Sequence, residues 1–129
     1  MSSQPTVRLR SVVLDCPDPR ALASFYASLL SGQADVRDPD WCEVHIQEPP
    51  LKLAFQRVEP YQAAQWPDGI SQQLHLDLTV ADLEAASRRA VSLGATVLTG
   101  AVEEPGGVFI VHADPAQHPF CLFAERSAT

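Results

Sequence analysis

The strongest constraint on this chain is an internal repeat. The run Ser11 to Asp18, SVVLDCPD, alternates apolar residues with others and ends in an aspartate, and His75 to Asp82, HLDLTVAD, does the same. A period of two marks a half-buried strand. Asp18 and Asp82 then stand where a helix begins, as N-caps accepting backbone N–H bonds, and Pro19 takes the first helical position, where its missing N–H costs nothing. In the first helix Leu22, Phe25, Tyr26, Leu29 and Leu30 recur at three- and four-residue spacing, one apolar face destined for the core. Leu83, Ala86, Ala90, Val91 and Leu93 repeat that face in the second. Gly32 and Gly94 follow as C-terminal stops. Two copies of such a unit point to duplicated modules and not to a solenoid.

Strand-like runs come after each helix: Trp41 to Gln47 and Leu51 to Val58 in the first copy, then Thr96 to Leu98, Gly107 to Ala113 and Phe120 to Ala124 in the second. Asp114-Pro115 starts the turn of the last hairpin. The stretch Glu59 to Gln72, EPYQAAQWPDGISQ, has no clean period and reads as a linker. The fold class is therefore α+β: two βαβββ modules, about residues 7–58 and 73–125 of one domain spanning 1–129, form curved antiparallel half-barrel sheets with helices on the outside.

Composition narrows the partners. With 16 acidic against 9 basic residues the formal net charge is −7, which argues against a nucleic-acid backbone or an anionic membrane. No apolar run approaches the roughly 20 residues of a bilayer span, and Met1 to Arg10 lacks an apolar signal core, so a cytoplasmic protein is expected. Cys16, Cys42 and Cys121, odd in number and without CxxC spacing, read as reduced thiols.

Together these runs carry a resemblance over nearly the whole chain. SVVLDCPDPRALASFYASLLSG resembles the opening strand and helix of a vicinal oxygen chelate module, and LKLAFQRVEP, QLHLDLTVADLEAA, LGATV and ADPAQHPFCLF resemble the small glyoxalase-like domains common in bacteria, within the glyoxalase/bleomycin-resistance/dioxygenase superfamily. The resemblance implies half-cups that enclose a cavity in pairs, and homodimers, leaving open whether a cup closes within the chain or across a dimer. It does not settle function, since the superfamily holds lyases, isomerases, dioxygenases, thiol transferases and antibiotic-binding proteins.

In metal-using members, the resemblance implies, a histidine lies seven residues before the module's aspartate and a glutamate on its last strand. His75 matches, Ser11 does not, and Cys121 replaces the glutamate; in the first module the glutamate position falls near Ala54 to Gln56. The candidate ligands are thus His75, Gln56 and Cys121, an odd set for oxygen-preferring ions. No cofactor is expected, with a divalent metal as the exception.

Alternation puts His75, Asp77 and Thr79 on one face of their strand and Leu74, Leu76, Leu78 and Val80 on the other. His75 and Asp77 then read as a hydrogen-bonding or acid–base pair in a pocket, or as a partly buried pair with a purely structural role. Trp41, Glu43 and His45 likewise share a face, either a ligand wall or a solvated surface. Phe120, Leu122 and Phe123 around Cys121 raise a thiol's pKa and argue against a nucleophile. His118, in a turn beside Pro119, reads as structural or exposed. The ligand-binding candidates are Trp41, His45, Phe55, Gln56, His75, Asp77 and Cys121, and His75 is the catalytic candidate. The favoured function is metal-independent binding of a small molecule. The alternative is a lyase or isomerase-type enzyme using His75 or an unusual divalent metal set.

Overall fold

The computed structural model describes residues 8–71 and 74–126. The expected module limits at residues 7, 72 and 73, and the N-terminal run as far as residue 7, lie outside them. The first module comprises β1 (Val12–Cys16), α1 (Pro19–Leu30), β2 (Gln33–Asp38), β3 (Trp41–Gln47) and β4 (Pro50–Arg57). The second comprises β5 (Leu76–Thr79), α2 (Leu83–Leu93), β6 (Thr96–Val97), β7 (Val102–Glu104), β8 (Gly107–Ala113) and β9 (Pro119–Glu125). They form two curved, unclosed sheets, ordered β1-β4-β3-β2 and β5-β9-β8-β6, with β7 paired to β8. Among the described residues no helix is long and apolar enough to cross a membrane.

The sheets are mixed, which refines the antiparallel expectation. β1 runs parallel to β4, and β5 parallel to β9, while the intervening strands pair antiparallel. A tight hairpin cannot join parallel neighbours. Each module solves this by sending the chain through its helix and the other strands before the last strand returns beside the first.

Both aspartates cap as expected: Asp18 accepts from the Ala21 amide at 3.3 Å and Asp82 from the Ala85 amide at 3.1 Å. Gly94 ends α2 at φ 123°. The glycine stop expected for α1 is corrected. Ser31, at φ 55°, makes the left-handed turn, and Gly32 is needed for space, because a Cβ there would stand 2.7 Å from Val44 Cγ1 and 3.0 Å from the His45 carbonyl oxygen.

One apolar cluster draws on both modules. Tyr26 stacks on Phe55 of β4 at 5.7 Å, while Phe25 lies 6.0 Å from Phe120 of β9. Inside this seam sits a carboxylate. Asp114 is buried; its Oδ2 accepts from the Tyr26 hydroxyl and from His118 Nδ1, each at 2.7 Å, and its Oδ1 accepts from the amides of Ala116 and His118. His118 Nε2 donates to the Asp15 carbonyl of β1 at 2.7 Å. The Tyr61 hydroxyl also lies 3.3 Å from Nε2. Asp114 Oδ2 and the Asp15 carbonyl are both acceptors, an arrangement that favours the doubly protonated, charged ring. Burial disfavours that charge, but the Asp114 hydrogen bond and charge, with help from Asp15, outweigh it and raise the His118 pKa above its usual 6.5. His112, also buried, behaves oppositely. It stacks on Phe120, takes Ser87 Oγ at Nε2 and bonds the Ile110 carbonyl through Nδ1, and burial lowers its pKa.

Tyr26→Phe removes one donor from a buried carboxylate and is expected to cost roughly 1–3 kcal/mol, measured by urea unfolding. The histidines predict opposite pH slopes. The stabilisation tied to the raised His118 pKa is complete below about pH 6.5 and is lost as pH rises through the raised value. That tied to the lowered His112 pKa is complete above about pH 6.5 and is lost as pH falls through the lowered value. His118→Ala should therefore flatten the alkaline side of the stability profile and His112→Ala the acid side.

Candidate functional site

The period of two in β5 sends Leu76 and Leu78 to the core and leaves Asp77 and Thr79, with His75 just before them, on the opposite face. β9 does the same: Phe120 and Leu122 are buried, and Cys121 and Phe123 turn outward. Register places Cys121 beside Asp77 and opposite Val111, and Phe123 beside Thr79 and opposite Phe109. These side chains line a cavity of about 480 Å³ that Glu104 of β7 and Trp66 of the connecting segment complete.

A polar group occupies one wall of this cavity. His75 Nε2 lies 3.2 Å from Asp77 Oδ1, with the two side chains 40% and 72% exposed. One ligand atom from each of His75, Asp77 and Cys121 lies within 4.8 Å of the others. The Cys121 thiol is pushed up to about 11, first by burial, then by the charge and hydrogen bond of Asp77 and the charge of Glu104. It is a neutral thiol near pH 7.

The first sheet presents an equivalent but separate face. Trp41, 38% exposed, donates from Nε1 to Glu43 Oε2 at 3.0 Å. His45 Nε2 lies 3.3 Å from Glu43 Oε1, and Lys52 Nζ 3.6 Å from Oε2. Trp41 and Glu43 border a shallow depression with Asp35, Arg37 and Asp38, and neither these residues nor His45 line the second-sheet cavity. Within the chain the structure does not bring Trp41 and His45 together with His75.

Two further candidates move. Phe55 is fully buried against Tyr26, because it shares strand parity with Leu53 on the core side of β4, and so offers no ligand wall. Gln56 is exposed on the first sheet, opposite Trp41. The register also fixes the repeat: Ala54 lies beside Val13 as Cys121 lies beside Asp77, so Gln56 corresponds to Phe123 and not to Cys121. Gln56 does not join His75 and Cys121, and Asp77 takes its place in the donor group. The sequence reading left out Trp66, Glu104 and Phe109. A tryptophan inside a polar, proline-rich linker was the available signal for the first.

The family model for the glyoxalase-like domain matches residues 11–123. The chain belongs to that family. A glyoxalase/bleomycin resistance protein/dioxygenase family enzyme from Burkholderia phytofirmans is similar in structure, with TM-score 0.72, 20% identity, and 90% of this chain and 97% of the other covered. A fosfomycin resistance protein from Listeria monocytogenes aligns with TM-score 0.70, 15% identity, and 95% and 96% covered. A hypothetical protein from S. aureus gives TM-score 0.70, 13% identity, and 94% and 96% covered. At such identities the likeness is one of fold. No curated protein matches the chain.

Divalent metals are common in this family, so the donor group bears on one. A nitrogen, a carboxylate oxygen and a sulfur suit a zinc-like ion with an open position better than magnesium or calcium, which take oxygen ligands. Cys16 and Cys42 are fully buried and Cys121 is not. Iodoacetamide is accordingly expected to modify Cys121 alone in the folded protein. Its rate should climb as pH approaches about 11, and Asp77→Asn should shift that climb to lower pH, as followed by mass spectrometry.

Proposed function

We propose that the protein binds a small organic molecule in the cup of its second sheet, without the family's usual metal set. The observation that carries this reading is the union of apolar walls with one polar corner. Phe109, Val111, Phe123 and Trp66 supply the surface a ligand buries, and His75, Asp77 and the Cys121 thiol supply the few directed contacts that orient it. The neutral thiol fits hydrogen bonding better than nucleophilic attack. The open cup suits a homodimer in which a second copy covers it, and we place the protein in the cytoplasm.

A second reading is favoured by one observation, the mutual proximity of His75, Asp77 and Cys121. In an enzyme of the lyase or isomerase type these three residues hold a divalent ion, which supplies Lewis acidity to a substrate oxygen. His75, not engaged by metal, alternatively serves as an acid or base, with Asp77 orienting its ring.

A thermal-shift screen of small molecules, followed by titration calorimetry, tests the first reading. Hits should lose at least about tenfold in affinity in Phe123→Ala, a deletion of buried ligand contact area. Hits indifferent to Phe123→Ala and His75→Ala would place binding elsewhere and sink the proposal. Elemental analysis of protein purified without metal affinity resin decides between the readings. A stoichiometric divalent metal, lost in His75→Ala, overturns metal-free binding in favour of the enzyme.

A further inference from the structure

Acidic side chains on the two sheets are treated differently. On the first sheet and its rim several carboxylates have a cation: Asp35 pairs with Arg37, Glu43 with Lys52, and Asp40 and Glu59 with Arg57. In the second-sheet cavity Asp77 meets only His75, and among the described residues neither Asp77 nor Glu104 pairs with a lysine or arginine. Among the described residues no lysine or arginine lines this cavity. Arg126 donates to the Glu104 carbonyl oxygen at 3.0 Å and stays outside the lining.

The same cavity carries aromatic faces. Phe109 and Phe123 stand opposite one another on neighbouring strands, and Trp66 of the connecting segment lines the same cavity. Aromatic rings attract cations through their negative faces, and they do so most strongly where water is partly excluded. Uncompensated carboxylates beside such rings reject anions and draw in positive charge.

We infer that the ligand of the second-sheet cavity is an organic cation, an amine or quaternary ammonium carried on an apolar or aromatic body, with Asp77 and Glu104 meeting the charge and Trp66, Phe109 and Phe123 the body. This rests on the proposed binding function and names the chemical class of its ligand. Phosphorylated, phosphonate and carboxylate ligands are disfavoured by the same two side chains.

Three probes of one shape test it: 4-phenylbutylammonium, 4-phenylbutanol and 4-phenylbutyrate. Binding is read by calorimetry and by Trp66 fluorescence in a Trp41→Phe background, which leaves Trp66 as the sole tryptophan of the chain's two. The ammonium should bind about tenfold or more tighter than the alcohol, and the carboxylate weakest. Asp77→Asn with Glu104→Gln should remove the ammonium's advantage over the alcohol, weakening the ammonium by about tenfold more than it weakens the alcohol. In the unmodified protein, added salt should weaken the ammonium selectively. Equal binding of ammonium and alcohol, tightest binding of the carboxylate, or an ammonium preference that survives the double substitution overturns the inference and leaves the cavity reading standing. Failure of all three probes overturns the inference, and only an empty wider screen takes the binding function with it.

Discussion

The architecture turns on one buried carboxylate. Asp114 belongs to the turn between β8 and β9, yet it holds the Tyr26 hydroxyl of α1, and through His118 it reaches the Asp15 carbonyl of β1. A charge taken out of water is tolerated only when its hydrogen bonds are met. Here those bonds come from both modules, so the second hairpin and the first helix hold their relative positions or leave the carboxylate unsatisfied. The aromatic seam of Tyr26, Phe55, Phe25 and Phe120 then packs around a fixed point.

Because the seam consumes one face of each sheet, only the opposite faces remain for chemistry. They have diverged. The first carries ion pairs and a tryptophan tied to Glu43, features of a surface that satisfies itself. The second carries a thiol, a histidine and carboxylates short of cations among half-buried aromatic groups. Duplication supplied two similar scaffolds, and the residues beside Val13 and Asp77 now do different things: an alanine in the first, a cysteine in the second.

Much of the fold was legible because its signals are local. Alternation in β5, β8 and β9, the aspartate caps and the helix periodicity all depend on neighbours in sequence. β2 and β7 were not legible: QADVRD alternates only one alanine and one valine with charged or polar residues, VEE has a single apolar residue, and both find their hydrogen-bonding partners in β3 and β8. The site was half legible. His75, Asp77 and Cys121 follow from strand parity and from the family pattern. Phe55 shares parity with Leu51 and Leu53, the core side of β4, so its place among the ligand-binding candidates ran against the strand's own period. Trp66 and Glu104 reach the cavity through a linker and a two-residue offset hairpin, and no periodicity encodes either route.

The parallel closure of each module has a consequence for the order of assembly. β1 has no partner until β4 exists, and β5 none until β9 exists, so neither sheet can be nucleated from its own beginning. Such non-local pairings bring a large loop-closure entropy before any contact rewards it. The acceptor for the Tyr26 hydroxyl and the imidazole that reaches the Asp15 carbonyl lie 88 and 103 residues further along the chain. During synthesis the first module must therefore wait, its core half-covered, for the β8–β9 hairpin to emerge before the fold becomes cooperative.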